Sequence, residues 1–227
     1  MTKSKPAPVI LIAGGPQAKN NDIILAAALK LSHVPNPAIA YIGTASDDDR
    51  TFFNMFKRRF ITAGAASVTL VPIVKQFDRI RVKTILAESD LIFVSGGEVE
   101  GGMEFLKKRN LIPFLTSLYK SGKPFFGVSA GSIMLCRNWL RWRDPDDDNT
   151  VELMDCLGFA PLLCDVHAEE DDWEEMKRLL GFFPKGTTGY GIPTGGALHV
   201  SETGKVTAIG AEPFQFIKKD KNVVLQT

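Results

Sequence analysis

The sequence predicts an α/β fold: three α/β/α layers with a mostly parallel central sheet and β-hairpins toward the C-terminal end. Three observations predict it. Short, continuously apolar runs alternate with longer segments of helical spacing through the first half of the chain. Each run stops at Gly, Ser or Pro. From Thr187 onward the pattern changes to short β-like pieces punctuated by glycine. Unbroken apolar runs are what strands buried on both faces look like. Repeated strand–helix alternation implies right-handed crossovers and a parallel sheet covered by helices.

The apolar runs are 9–13 (VILIA), 38–42 (AIAYI), 68–71 (VTLV), 91–94 (LIFV) and 124–128 (PFFGV). Between them, 22–31 places Ile23, 25–28 and Leu29 on one broad face, and 52–60, 80–87, 104–108 and 112–120 follow the same spacing. The segment 132–142 reads as helical, and 151–163 and 173–182 carry mixed and helical patterns. The late β-like pieces are 189–192, 197–200, 206–209, 214–217 and 223–225, with Asn and Gly among the residues between them, which suits hairpins. Phe52, Phe53, Phe56 and Phe60 form an aromatic stripe at helical spacing. Core packing is its first reading and a homodimer face its second. No break in composition divides the chain, so 1–227 reads as one domain.

Composition narrows the function classes. The chain has 227 residues, 44% hydrophobic and 23% charged, with 27 basic against 26 acidic residues. That balance argues against a nucleic-acid or membrane-surface binder, which carries a basic excess. No apolar run approaches the ~20 residues of a membrane span. Residues 1–8 carry lysines but no apolar stretch, so no secretory signal is expected there and the expected location is cytoplasmic. The three cysteines, Cys136, Cys156 and Cys164, form no C-x-x-C pair. They read as small buried hydrophobes in a reducing compartment rather than as a disulfide framework or zinc site.

The stretch 125–134 (FFGVSAGSIM) carries the chemistry. It contains Gly127-x-Ser129-x-Gly131 between a buried strand and a segment that can be helical, the setting in which G-x-S-x-G means a nucleophile elbow. The glycines permit a tight, strained turn that holds Ser129 at the carboxyl end of the strand, where open α/β sheets bind ligands. The helix beginning at Ala130 aims free N–H groups at the same point, so the Ala130 N–H is a natural oxyanion donor. The run 91–94 ends in Ser95-Gly96-Gly97, which lets the Gly97 N–H approach a reacting carbonyl as the second donor. Gly14-Gly15 lacks the third spaced glycine of a dinucleotide fingerprint, so no organic cofactor is read there.

A serine nucleophile needs a base. Of three histidines, His33 ends the first helical segment and His199 sits in a late β-like piece. His167 closes the apolar run 162–167 (LLCDVH), expected to end near the carboxyl edge of the sheet, and is the best candidate base. Candidate acids to orient it are Asp144, 146–148, Glu152 and Asp165, with a solvated turn as the first reading of 146–148. In a strand, Asp165, His167 and Glu169 would face one side and could hold a divalent ion. One histidine and two carboxylates are thin grounds, so no metal is expected.

These residues resemble the peptidase E and cyanophycinase group of serine peptidases, whose fold is flavodoxin-like, of the class I glutamine amidotransferase kind. Four segments carry the resemblance: 93–97 (FVSGG), 127–132 (GVSAGS), 157–167 (LGFAPLLCDVH) and 189–200 (GYGIPTGGALHV). The resemblance implies Ser129 as nucleophile, His167 as base, and Gly97 and Ala130 as oxyanion donors. It also implies Asp144 as the triad acid, which stands where peptidase E-like members carry an aspartate shortly after the serine. Family reactions are hydrolyses of peptide bonds next to aspartate. Two departures stand out. Where many members have an arginine-containing stretch after the histidine, 168–172 reads AEEDD, which favours a cationic over an aspartyl substrate. Thr194-Gly195 stand where an acid is common, which leaves Asp144 as the acid.

The expected activity is therefore serine-type hydrolysis of a small peptide or amide through an acyl-enzyme on Ser129, with no cofactor. The alternative is a non-enzymatic or regulatory relative of the same fold. An α/β-hydrolase esterase shares G-x-S-x-G but usually separates serine and histidine by a cap and a longer chain. A glutamine amidotransferase would need cysteine at position 129.

Overall fold

The structure, a computed structural model, describes residues 6–15, 20–144 and 146–226. The first half runs β1 (Val9–Ile12), α1 (Asn21–Leu29), β2 (Ala38–Ile42), α2 (Arg50–Thr62), β3 (Ser67–Val71), α3 (Arg79–Glu88) and β4 (Leu91–Val94). It continues through α4 (Val99–Lys108), α5 (Ile112–Lys120), β5 (Phe125–Val128) and α6 (Ala130–Leu135). The remainder is β6 (Asn138–Trp142), β7 (Val151–Asp155), β8 (Cys164–Val166), α7 (Glu174–Gly181), β9 (Thr188–Ile192), β10 (Gly196–Val200), β11 (Val206–Gly210), β12 (Phe214–Lys218) and β13 (Val223–Gln226).

A seven-stranded sheet in the order β11-β10-β1-β5-β4-β2-β3 forms the centre. β1, β5, β4, β2 and β3 are mutually parallel, and β10 and β11 join antiparallel at one edge. The fold is the expected α/β arrangement, with the β10–β11 hairpin making the large sheet mixed. Alternation along the strands splits their side chains between two faces. Ile10 and Ile12 of β1, Phe93 of β4 and Val128 of β5 pack with Ile24 of α1 and with Phe53, Phe56 and Phe60 of α2. Val9, Leu11, Ile92 and Val94 face the other way, onto Val82, Met103, Leu115 and Met134 of α3 to α6. The aromatic stripe is largely core: Phe53, Phe56 and Phe60 are buried, and Phe52 is half-buried. Asp49 caps α2, its carboxylate accepting from Phe52 N–H at 2.6 Å.

A second sheet, β13-β12-β9-β8, pairs β8 parallel to β9 and hairpins β12 with β13. It packs through Leu163 and Phe216 against Trp173, Met176 and Leu180 on and beside α7. The run ending at His167 therefore belongs to this second sheet, not to the large one. The helical reading of 132–142 holds only to Leu135. Cys136 turns extended (φ −79, ψ −172), and β6 pairs antiparallel with β7. In Asn-Trp-Leu-Arg-Trp only Leu140 is buried, flanked by half-exposed residues, and bulky aromatics favour a strand. Among the described residues no helix is long and apolar enough to cross a membrane.

Candidate active site

The carboxyl ends of three adjacent parallel strands build the site: β1 runs into Gly14-Gly15, β5 into Ser129 and β4 into Ser95-Gly96-Gly97. Ser129 stands between β5 and α6 with φ 52 and ψ −125. A side chain in that conformation costs about 1–3 kcal/mol, which the surroundings must offset. They do so by close packing. A Cβ on Gly131 would lie 2.1 Å from the Val94 carbonyl oxygen, and one on Gly127 would lie 2.5 Å from that of Gly131. Only glycines let α6 seat this tightly on the sheet. Ser129 N–H donates to Ile12 O at 2.9 Å. The buried Ser132 hydroxyl accepts from Ile12 N–H at 2.8 Å and lies 2.9 Å from the Ile12 and Gly127 carbonyl oxygens, tying the elbow to β1.

His167 follows β8 directly, with φ 44. Its N–H donates to Ile192 O at 2.9 Å, which fixes the backbone at the end of the second sheet. The exposed ring reaches Ser129, and Nε2 lies 2.8 Å from Oγ. A nucleophile–base pair at this separation can pass a proton.

The two expected oxyanion donors stand beside the serine. Neither Gly97 N–H nor Ala130 N–H has a hydrogen-bond partner among the described residues. Gly97 has φ 136, and a Cβ there would fall 1.8 Å from the Ala45 carbonyl oxygen. The turn at 44–46 that presses on it is anchored by Asp48, whose Oδ2 accepts from Val74 N–H at 2.8 Å. Burial pushes the Asp48 carboxyl above its ordinary pKa.

No carboxylate among the described residues hydrogen-bonds to His167. Asp144 is exposed in the β6–β7 turn. Its Oδ1 accepts from Asp146 N–H at 3.0 Å, and its own N–H donates to Thr150 Oγ1 at 3.0 Å. One amide of the turn, that of Asp146, thus holds one oxygen of this carboxylate, as is common for Asp in turns. Glu152, a second candidate acid, is held by Arg143 and Arg141, which push its carboxyl below the ordinary range. Asp165 is buried, its Oδ1 accepting from Val166 N–H at 2.8 Å and its Oδ2 without a hydrogen-bond partner among the described residues. Burial, reinforced by Glu175 and Asp171, raises its pKa to about 7.

The left-handed backbone at His167 breaks strand alternation, so Asp165, His167 and Glu169 do not converge. Glu169 instead accepts from Thr194 N–H at 2.6 Å. Among the described residues no cluster of His, Cys, Asp or Glu is placed to hold a metal ion. His33 and His199 line a separate cavity, with Pro8 and Ser201, at the opposite edge of the sheet. Cys136 and Cys164 are buried side by side, and Cys156 is partly buried.

The site also opens into a cavity that no sequence pattern marks. A cavity of about 1350 Å³ extends from Ser129 and His167 between α1 and α2. Its lining includes Met55 and Phe52, the latter part of the aromatic stripe that reads first as core and second as a homodimer face.

The model of peptidase family S51 matches residues 9–208. The chain belongs to peptidase family S51. A peptidase from an acI-B1 Actinobacterium has a similar structure, with TM-score 0.73 at 16% identity, over 99% of this chain and 96% of that one. A protein from Listeria monocytogenes EGD-e described as a peptidase E protein is also similar, with TM-score 0.67 at 16% identity, over 91% of this chain and all of the other. At such identity the likeness establishes a shared fold. A search of curated proteins finds no match. Family membership supports a peptidase function for this S51 chain.

Proposed function

We propose that this S51 chain is a serine peptidase that hydrolyses small peptides through an acyl-enzyme on Ser129. The observation that carries the reading is the 2.8 Å approach of Ser129 Oγ to His167 Nε2 on an elbow strained to φ 52. Two N–H groups without hydrogen-bond partners among the described residues stand at the same strand ends, at Gly97 and Ala130.

The steps follow from that placement. Oγ attacks the scissile carbonyl carbon while His167 Nε2 takes the hydroxyl proton. The negative charge that develops on the carbonyl oxygen is met by Gly97 N–H and Ala130 N–H, already oriented by the backbone. The tetrahedral intermediate collapses, the C–N bond breaks, and His167 returns its proton to the departing amine. A water then attacks the ester with the same base and donors, releasing the acid and restoring Ser129. The catalytic unit in this reading is the Ser129–His167 pair. Asp144 is assigned as a third member by the family pattern, and its place in the β6–β7 turn, with no hydrogen bond to His167 among the described residues, argues for the pair acting without it.

Incubation with a fluorophosphonate followed by intact mass measurement tests the reading. The expected result is one adduct on the native protein, absent from Ser129→Ala and His167→Ala. A folded native protein that takes up no adduct overturns it.

A further inference from the structure

The cavity that begins at Ser129 has a direction set by the topology. α1 follows the carboxyl end of β1 and α2 that of β2, so both helices start at the catalytic edge and run away from it over the same sheet face. The floor between them includes Val128, which precedes Ser129, and Phe93, which lies just before Gly96. The walls are Leu25 of α1 and Phe52, Met55 and Phe56 of α2. Phe52, Met55 and Phe56 share one helix face by their spacing. Leu25, Phe52 and Met55 remain half-exposed although apolar, because none of the described residues fills the space between the helices.

The charges along the cavity are sorted by depth. Glu170, three residues beyond His167, and Asp22, in the first turn of α1, line it near the catalytic edge. Neither makes an ion pair among the described residues. Arg58 and Arg59 line it in the last turns of α2, about 10 Å further along the helix axis than Phe52. A short acidic side chain on the residue being attacked would meet carboxylates and apolar walls, and would stop short of the arginines. A large apolar side chain would fill the space between the helices, and a free α-ammonium would sit against Glu170 and Asp22.

We infer that this groove takes a large apolar side chain on the residue whose carbonyl Ser129 attacks, so that the enzyme prefers peptides beginning with Leu or Phe over those beginning with Asp. The inference rests on the serine peptidase reading above and names its substrate class. In an apolar pocket a single methylene separates good from poor substrates by about 10–200-fold, so a side chain several carbons larger is expected to do so by at least about tenfold.

The test is kcat/KM for dipeptides that share one C-terminal residue and begin with Ala, Leu, Phe, Asp or Lys. Fluorophosphonate uptake is measured on the same samples. The Leu and Phe peptides are expected to exceed the Ala and Asp peptides by about tenfold or more. Met55→Trp, which plugs the groove from α2, is expected to lower the ratio of Phe to Ala kcat/KM by about tenfold or more. Leu25→Trp plugs it from the opposite wall and serves if Met55→Trp does not fold. Uptake with a flat profile, or with preference for Asp or Lys, overturns the groove assignment and leaves the serine chemistry standing. Apolar preference untouched by either plug overturns it also. No uptake on folded protein overturns the catalytic reading and this inference with it.

Discussion

Gly97 lies against Ala45 so closely that a Cβ at position 97 would stand 1.8 Å from the Ala45 carbonyl oxygen. The same oxygen accepts from Glu98 N–H at 2.7 Å, so the turn at 44–46 and the end of β4 hold each other in place. The direction of the Gly97 N–H is thus set by backbone packing. Gly97→Ala must move one of the two segments and turn that N–H aside. It is expected to lower kcat by about 10²–10³, the cost of one oxyanion donor. Far-ultraviolet circular dichroism should be unchanged. A fully active Gly97→Ala enzyme would remove Gly97 from the mechanism.

Asp144 provides a sharper test of the catalytic unit. Loss of the acid in a Ser-His-Asp triad lowers kcat by about 10⁴. Here the Asp144 carboxylate serves Asp146 N–H in its own turn. Asp144→Asn is therefore expected to hold kcat within about tenfold of the native value, far above His167→Ala. A loss near that of His167→Ala would show that the β6–β7 turn brings Asp144 to the histidine during catalysis.

Asp165 ties stability to pH. Its pKa is raised from 3.8 to about 7 in the folded protein, chiefly by burial. Between those values the folded state holds a proton that the unfolded state has released. Stability from this group is complete below the unfolded pKa and is lost as pH rises toward the folded one. The full loss amounts to up to about 4 kcal/mol. Urea unfolding at pH 5 and pH 8 should show the native protein losing stability over this interval more steeply than Asp165→Asn, which stays neutral. Equal slopes would mean that Asp165 is ionised in the fold at both pH values.

Phe60 joins α2 to the sheet. Its ring lies 4.9 Å from Phe93 and 5.5 Å from Phe126, centroid to centroid, and it is fully buried. Phe60→Ala is expected to cost about 3–5 kcal/mol in urea unfolding. A loss below about 1 kcal/mol would mean that α2 repacks into the cavity beside it.

The parallel strands were legible because burial on both faces leaves nothing but apolar residues, as in 9–13 and 91–94. The elbow was legible for a related reason: close approach of α6 to β5 admits only glycine at 127, and its approach to β4 only glycine at 131. Residues 138–142 were not legible, because Trp139, Leu140 and Trp142 fit a helix face until pairing with β7 decides for a strand. The separate sheet that carries His167 was hidden as well. Its parallel partner β9 is a glycine-rich pentapeptide, and which strand it pairs with is a tertiary choice. The cavity between α1 and α2 was hidden because Phe52 and Met55 carry the same helical spacing whether they face a core or an open space.

The central claim is a covalent intermediate on Ser129. Rapid mixing with an activated ester of an N-terminally free phenylalanine, an acid quench within the first turnover and intact mass measurement test it most directly. The account predicts a transient mass increase equal to the phenylalanyl group, mapped to Ser129 and absent from Ser129→Ala. Ester turnover that depends on His167 yet never adds mass to the protein would contradict it, and would make water rather than Ser129 the attacking group.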